Sequence, residues 1–395
     1  MPEKRRVSVW ALCVLMVVAI LAITTGCGSS DDSSSDTTAA DTSAASSPSA
    51  PATTSAGDAR IEQAKAAVAQ YSKEQPPLDI PPLPGPAGKK TAAWVFCTLP
   101  TCQADAAKEA LTALGWNFKL VPWDFAKAPA DFVKAFENAL QMKPAFIGVP
   151  MVFPPEVIAK QMAEAKAAGI PVIHVTSTTG VGDNVIACMS CAPQLNKTAR
   201  LQVDVALADA GGKTGIVYGY DPTLLTFVEQ FLPAAKDEVE KLSPESSYDT
   251  LKLSLAQPPA QNAAAIVNYV QRHPDVKYVL LAASELASGL PQALSAAGLS
   301  DKVKFITQAP QPTDLEEIAK GQEFASVAAE DASSMWRAAD AAARYAIDGK
   351  IPDDLVYPVG WHQIVTKDNV PKVTSTLVQP TDYQETFKQV WNVGG

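Results

Sequence analysis

The sequence is poor in the residues and motifs that mark most enzymes and metalloproteins. It contains only 3 histidines among 395 residues, and His174, His273 and His362 lie far apart without the spacing of metal ligands. It has no glycine-rich phosphate loop, nucleophile elbow, HExxH pair or EF-hand loop. These absences argue against an enzyme, and we expect no cofactor and no metal.

The chain also has fewer positively than negatively charged residues. Lys and Arg together number 32 against 42 Asp and Glu, which gives a formal net charge of -10. No helix-turn-helix segment precedes the predicted domains. An acidic chain of this kind is a poor partner for nucleic acid or for anionic lipid headgroups, so we expect no nucleic-acid binding.

The first 26 residues have the layout of a secretory signal peptide. Lys4-Arg5-Arg6 precede an apolar run from Val7 to Ile23 that is short for a membrane span. The following Thr24-Thr25-Gly26-Cys27 resembles a bacterial lipobox, with Thr24 where the consensus has Leu. We therefore expect cleavage before Cys27, lipidation of that cysteine, and anchoring to the outer face of the cytoplasmic membrane. The alternative is an uncleaved anchor helix.

The next segments predict a tether and then a large folded body. Residues 27–56 consist almost entirely of Ser, Thr, Ala, Asp, Gly and Pro, which predicts a disordered tether. Residues 57–88 predict a helix followed by a proline-rich spacer. The remaining chain is longer than one hydrophobic core usually serves, which favours two domains.

Four cysteines remain after the signal peptide and Cys27 are set aside. An even number outside the cytoplasm predicts two disulfides, and the simplest pairing joins Cys97 to Cys102 and Cys188 to Cys191. A four-thiolate zinc site is the competing interpretation.

From Thr91 the chain alternates short apolar runs with longer amphipathic segments, a pattern typical of parallel sheets built from βαβ units. The runs form two series of similar size, so the fold class is α/β with two doubly wound, Rossmann-like domains in tandem. The predicted strands of the two series are 92–97, 118–121, 145–149, 172–175 and 185–187, and then 214–218, 251–255, 278–282, 303–307 and 325–328.

Several fragments in this order resemble the type 1 periplasmic binding proteins, the ribose-binding type. They are AKAAGIPVIHV at 165–175, GGKTGIVYGY at 211–220, HPDVKYVLLAASELASGLPQALSAAG at 273–298 and VKFITQAPQPTDLEEIAKGQEFASVAAED at 303–331. The resemblance implies two lobes joined by three crossovers near 191–193, 330–332 and 359–361, with a ligand cleft between them. It assigns 89–192 plus 332–360 to lobe 1 and 193–331 plus 361–395 to lobe 2.

The chain departs from the sugar-binding pattern of that family. Thr176-Ser177 stand where sugar binders have Asp-Arg, Ala283-Ser284 where they have Asn-Asp, and Thr307-Gln308-Ala309 where they have Gly-Phe-Asp. Charged bidentate groups hold polyhydroxylated ligands, so their loss argues against a free monosaccharide. We expect a less polar ligand, aromatic or alicyclic, although a sugar remains the family's default.

Residues that follow strands are the candidate ligand contacts, because open parallel sheets bind ligands beyond the carboxyl ends of their strands. Some of these residues have an alternative structural role. Met151 and Phe153 could pack against the following helix as a staple, and Tyr220-Asp221 could form a turn. Glu285 could stabilise the dipole of the helix that it begins. One of Glu330 and Asp331 is expected at the ligand or hinge, and we choose Glu330. The full candidate set is Thr98, Thr101, Gln103, Met151, Phe153, Thr176, Ser177, Tyr220, Asp221, Ser284, Glu285, Gln308 and Glu330.

These expectations combine into one functional prediction. The resemblance implies a monomeric solute-binding lipoprotein that captures a small molecule for the permease subunits of an ABC importer. The alternatives are a sensory receptor of the same fold that signals to a protein partner and, from another class, an extracytoplasmic enzyme.

Overall fold

The structure is a computed structural model that describes residues 56–98, 102–358 and 360–393. The predicted signal peptide, Cys27, nearly all of the predicted tether and Thr101 lie outside the described residues. Within the described part, no helix is both long enough and apolar enough to cross a membrane.

Strands and helices alternate along the described chain. The strands are β1 (Thr91–Cys97), β2 (Asn117–Trp123), β3 (Phe146–Met151), β4 (Val172–Ser177), β5 (Val185–Ser190), β6 (Gly215–Tyr220), β7 (Ser247–Lys252), β8 (Val276–Leu281), β9 (Lys304–Gln308), β10 (Ala325–Ala329) and β11 (His362–Thr366). The α-helices are α1 (Ala56–Tyr71), α2 (Ala104–Ala113), α3 (Ala130–Gln141), α4 (Ala159–Ala167), α5 (Ala192–Ala210), α6 (Leu232–Leu242), α7 (Pro259–Arg272), α8 (Leu290–Ala296), α9 (Pro312–Lys320), α10 (Ala332–Asp348), α11 (Asp353–Val356) and α12 (Tyr383–Val390).

The first sheet has the strand order β2-β1-β3-β4-β5, and its pairs are parallel. Successive side chains of a strand point to opposite faces. On β1, Trp94 and Phe96 therefore face α2 and α10, while Val95 faces α3. Because both faces are covered by helices, β1 appears in the sequence as an unbroken apolar run. Gly148 on β3 makes room for the indole, since a Cβ there would lie 2.6 Å from the Trp94 ring.

The second sheet has the order β11-β10-β9-β8-β6-β7 and is parallel except for the antiparallel pair β10–β11. Helix α5 lies across β8, β9 and β10. Its buried Gln202 donates through Nε2 to the carbonyls of Leu281 and Ile306, at 3.0 and 3.2 Å. Tyr218 donates its hydroxyl to Gln202 Oε1. The amide is therefore satisfied, and it ties the helix to three strands of the sheet. The structure thus has two α/β lobes, which confirms the predicted fold class.

Three internal segments join the lobes. The chain passes from β5 to α5 through Cys191, from β10 to α10 through 330–331, and from α11 to β11 through 357–361.

The terminal segments cross between the lobes as well. Helix α1 packs on α5 and α6 of the second lobe, and the proline-rich segment then crosses to the first lobe, where Arg344 donates to the carbonyls of Pro81 and Pro82. After β11 the chain returns, and Trp391 stacks on Trp336 of α10 with ring centroids 5.4 Å apart. The predicted boundary placed all of 361–395 in lobe 2. The last helix instead packs on lobe 1, because its buried aromatic side chains fill the outer face of α10.

Candidate ligand-binding cleft

A cleft lies between the carboxyl ends of the strands of the two sheets. The first lobe contributes Phe96, Cys97, Cys102, Phe125, Pro150, Val152, Val175, Thr176 and Ser190, with Asp331, Ser334 and Met335 from the start of α10; the second lobe contributes Leu195, Leu224, Thr226, Phe227, Phe231, Leu255, Ala283, Glu285, Gln308 and Ala309. The position is the one that parallel-sheet topology favours for ligands.

Aromatic rings make up much of the cleft wall. Phe125 follows β2 and lies against Trp123, with ring centroids 4.6 Å apart. On the opposite wall, Phe227 and Phe231 meet edge to face with centroids 5.6 Å apart. These two residues are four apart in a short π-helical turn that leads into α6, so both rings project from the same side. The cleft thus offers ring faces and edges from both lobes.

The polar groups of the cleft are few and are held in place by neighbouring backbone and side chains. Gln308 donates through Nε2 to the Ala282 carbonyl at 2.8 Å. Gln103 donates through Nε2 to Asp331 Oδ2 at 3.3 Å, and Ser334 donates its hydroxyl to the Asp331 carbonyl at 2.6 Å. These contacts orient the amide and carboxylate groups before any ligand arrives.

Asp331 is the electrostatically unusual residue of the cleft. Burial raises its pKa to about 7, the negative charge of Glu285 acts in the same direction, and the hydrogen bond from Gln103 opposes them. Glu285 follows β8 in the second lobe and also raises the pKa of Asp314, which burial brings to about 6. Acidic groups of the two lobes therefore interact across this end of the cleft.

Both predicted disulfide pairs are present, and they lie close to the cleft and the first crossover. Cys97 is joined to Cys102 with a Cα–Cα distance of 5.8 Å, and Cys188 to Cys191 with 6.0 Å. The first bridge ties the end of β1 to the loop before α2, and both of its cysteines line the cleft. With the four sulfurs paired in this way, the cysteines do not form the alternative zinc site.

The lobes touch directly at the mouth of the cleft. The backbone N–H of Leu225, in the second lobe, donates to the carbonyl of Val152, in the first, at 2.7 Å. Leu224 and Val152 both line the cleft next to this bond. The two lobes are therefore in direct contact beside the cleft.

The structure brings some of the predicted contacts to the cleft. Thr176, Glu285 and Gln308 line it, and Gln103 reaches it through its bond to Asp331. Thr98 is exposed and is not among the described lining residues.

Other predicted contacts have structural roles at the ends of strands. Phe153 packs on Trp123 and Phe132, with ring centroids 5.6 and 5.3 Å away, and Met151 is buried behind the cleft in the same core. Both side chains therefore pack beneath the helix that follows, as the alternative interpretation of these two residues predicts.

Four further predicted contacts lie behind the lining. Asp221 closes a turn by accepting from Thr223 N at 2.9 Å and from Leu255 N at 2.7 Å, and Tyr220 is buried beside it. Ser177 accepts from Thr179 N at 3.0 Å. Ser284 is buried beside Asp314, on the far side of Glu285.

The choice of Glu330 over Asp331 is corrected by the structure. Glu330 is buried in an ion pair with Arg337, whose Nη2 lies 3.0 Å from Oε1. The same oxygen accepts from Trp361 N at 2.9 Å. Its carboxylate therefore joins the second and third crossovers, and the neighbouring Asp331 is the one that lines the cleft.

The sequence reasoning missed Phe125, Phe227, Phe231 and Met335. Phe125 lies two residues beyond β2, and the other three lie six or more residues beyond their strands, in or before the following helices. The i, i+4 spacing of Phe227 and Phe231 was the available signal, but the same spacing also describes an ordinary core helix.

Comparison with known proteins agrees with this architecture. Residues 101–351, more than half of the chain, match the family profile described as the periplasmic binding protein domain. The chain belongs to the periplasmic binding protein family. Members of the type 1 periplasmic binding proteins are extracytoplasmic solute-binding components of ABC transporters rather than enzymes.

Solved structures of periplasmic binding proteins share the fold at low sequence identity. A periplasmic ribose ABC transporter protein from Conexibacter woesei is 19% identical, with a TM-score of 0.61, covering 74% of this chain and 96% of that one. A 5-methylthioribose transporter solute-binding protein from Thermotoga lettingae, in complex with 5-methylthioribose, is 15% identical, with a TM-score of 0.60 and coverage of 79% and 96%. A solute-binding protein from Bacillus halodurans with bound myo-inositol is 18% identical, with a TM-score of 0.60 and coverage of 72% and 97%. A search of curated proteins found no match.

Proposed function

We propose that this periplasmic binding protein is the lipid-anchored receptor of an ABC importer and that its cleft captures a solute less polar than a sugar. The observation that carries the proposal is the cleft wall. Aromatic and aliphatic side chains from both lobes dominate it. At the positions where sugar binders have Asp-Arg, Asn-Asp and Gly-Phe-Asp, the residues that line this cleft are Thr176, Ala283, Gln308 and Ala309. Burial of apolar solute surface is the main favourable term that such a wall provides.

Closure couples binding to recognition by the importer. A solute that contacts Phe125 in the first lobe and Phe227 in the second stabilises the closed lobes relative to the open ones. The closed surface is then the form that the permease subunits bind. Hinge motion at the three internal crossovers is the conformational change expected of this architecture.

A thermal-shift screen of the full chain in detergent tests the ligand class. Sugars and polyols form one set, and aromatic and alicyclic compounds the other. A solute at a hundredfold excess over its Kd adds about 2.7 kcal/mol to the free energy of unfolding. The proposal predicts stabilisation by members of the second set. Stabilisation by sugars alone contradicts the less polar ligand, and stabilisation by neither set contradicts solute capture.

Lipid anchoring through Cys27 rests on the lipobox-like sequence and has its own test. Metabolic labelling with a radioactive fatty acid in a bacterial host should label the wild-type chain and not Cys27→Ala. Equal labelling of the two chains would refute lipidation at this cysteine.

A further inference from the structure

Two carboxylates face the cleft, one from the second lobe and one from the second crossover. Glu285 follows β8 of the second lobe, and Asp331 immediately precedes α10 of the first lobe, where the Gln103 amide holds it at 3.3 Å. Both residues line the same cavity, and the charge of Glu285 raises the pKa of Asp331. Like charges brought together in a site of low polarity repel each other, so closure of the empty lobes works against this repulsion.

The described lining of the cleft lacks basic side chains. Among the described lining residues, none is Lys, Arg or His. Arg337 follows Asp331 by less than two turns of α10, but its guanidinium is engaged by the buried Glu330. The guanidinium nearest to Asp331 in sequence is therefore paired at the hinge, and the described cleft lining carries two acidic side chains and no basic one.

The remaining lining suits the body of an apolar cation. Phe96 and Phe125 in the first lobe and Phe227 and Phe231 in the second present rings to the same cavity. The faces of aromatic rings attract cations, and this attraction grows when the site excludes water. A neutral polyol would find few hydrogen-bonding groups along these walls, whereas an organic ammonium gains from both the carboxylates and the rings.

We propose that the solute is a primary or secondary amine with an aromatic or alicyclic body, its ammonium group held between Glu285 and Asp331. This inference rests on the proposed function, since it concerns the ligand of the same cleft. An ammonium between the two carboxylates removes their repulsion and contacts both lobes at once. It therefore favours the closed arrangement, and the aromatic walls select the body of the solute.

Matched pairs of compounds test the ammonium separately from the apolar body. Calorimetric titration of the full chain in detergent would compare benzylamine with benzyl alcohol, phenethylamine with phenethyl alcohol, cyclohexylamine with cyclohexanol, and tryptamine with tryptophol. We expect at least one amine to bind about tenfold or more tightly than its alcohol. Glu285→Gln and Asp331→Asn should each weaken that amine about tenfold and leave the alcohol within about threefold.

Glu164→Gln, on the exposed face of α4, is the charge-matched control and should leave both affinities unchanged. The melting temperature of each variant reports whether it is folded. If alcohols or sugars bind and no amine binds more tightly, the ammonium site is wrong while solute capture stands. The ammonium site is also wrong if Glu285→Gln and Asp331→Asn bind the amine as tightly as the wild type does. If no compound of either set binds, solute capture and the ammonium site both fail.

Discussion

The hinge and the cleft are adjacent, but the carboxylates at the two places have different surroundings. At the hinge, Glu330 is buried with a full set of partners, namely the Arg337 guanidinium and Trp361 N. One residue further along the chain, Asp331 faces an apolar cavity and the negative charge of Glu285, and only the amide of Gln103 lowers its pKa. Two consecutive carboxylates thus have different roles, one structural and one available to a ligand.

Two further polar side chains at the hinge have hydrogen-bond partners. His362 directs Nδ1 towards the Gly360 carbonyl at 3.0 Å and Nε2 towards Thr198 Oγ1 at 3.1 Å, which connects the third crossover to α5. Gln379 accepts from Ser333 N and Oγ at 3.1 and 3.0 Å, at the start of α10. These hydrogen bonds help to fix the geometry of the crossovers, whereas the described lining of the cleft has few polar groups.

The largest expected effect comes from breaking the hinge pair. Arg337→Met leaves the buried Glu330 carboxylate without its counter-charge, and we expect a loss of about 3–5 kcal/mol in the free energy of unfolding. Asp331→Asn, at the neighbouring position, should not lower it, because the substitution removes a carboxyl group whose ionisation burial and the charge of Glu285 disfavour. Urea unfolding measures both.

The double variant Glu330→Gln/Arg337→Met is the control for that prediction. It removes both charges and should recover a substantial part of the loss. A loss for Arg337→Met no larger than that for Asp331→Asn would contradict the contrast between hinge and cleft.

A smaller effect should appear in the dependence of stability on pH. Burial raises the pKa of Asp331 to about 7, so its contribution to stability is present at low pH and is lost as pH rises towards 7. Burial lowers the pKa of His362 to about 4, so its contribution is present above pH 6.5 and is lost as pH falls towards 4.

Between pH 4.5 and 6.5 the two residues therefore act in opposite directions. Asp331→Asn should make the free energy of unfolding rise more steeply with pH than in the wild type, and His362→Gln less steeply, each by at most about 1.4 kcal/mol per pH unit. Urea titrations at several pH values provide the slopes. Slopes that change in the same direction for both variants would contradict this account.

The smallest effect on stability is expected at the cleft wall. Phe227→Leu keeps an apolar side chain at a position that already borders a cavity, so the free energy of unfolding should fall by less than about 1.5 kcal/mol. The affinity for an aromatic solute should fall about tenfold, because the ring face is lost. Equal affinities of the wild type and Phe227→Leu for the aromatic solute would contradict binding against this ring.

Much of the fold could be predicted because its central strands are buried on both faces. β1 and β8 appear in the sequence as apolar runs, and the predicted 92–97 and 278–282 cover six of the seven residues of β1 and four of the six residues of β8. β7 is an edge strand with exposed or half-buried residues, and the predicted 251–255 overlaps only its last two residues. The hydrophobic pattern locates strands that two layers of helices cover, and it weakens at an edge.

The site was harder to predict because the position of a side chain there depends on single residues. Thr176, Glu285 and Gln308 end or follow strands, so topology alone brings them to the cleft. Glu330 and Asp331 differ by one position, and only the presence of Arg337 on the inner side of α10 decides between them. No local pattern in the sequence reports that contact.

The central claim is that a solute bound between the lobes holds them closed, and an electron-spin distance measurement tests it directly. Nitroxide labels at Leu120→Cys on β2 and Val228→Cys before α6 occupy exposed positions on opposite lobes. The native cysteines of the lobes are bridged and do not compete for the label. We expect a broad distribution of distances without solute and a single narrow one when the most stabilising compound of the screen is added. The same distribution with and without that compound would contradict the account.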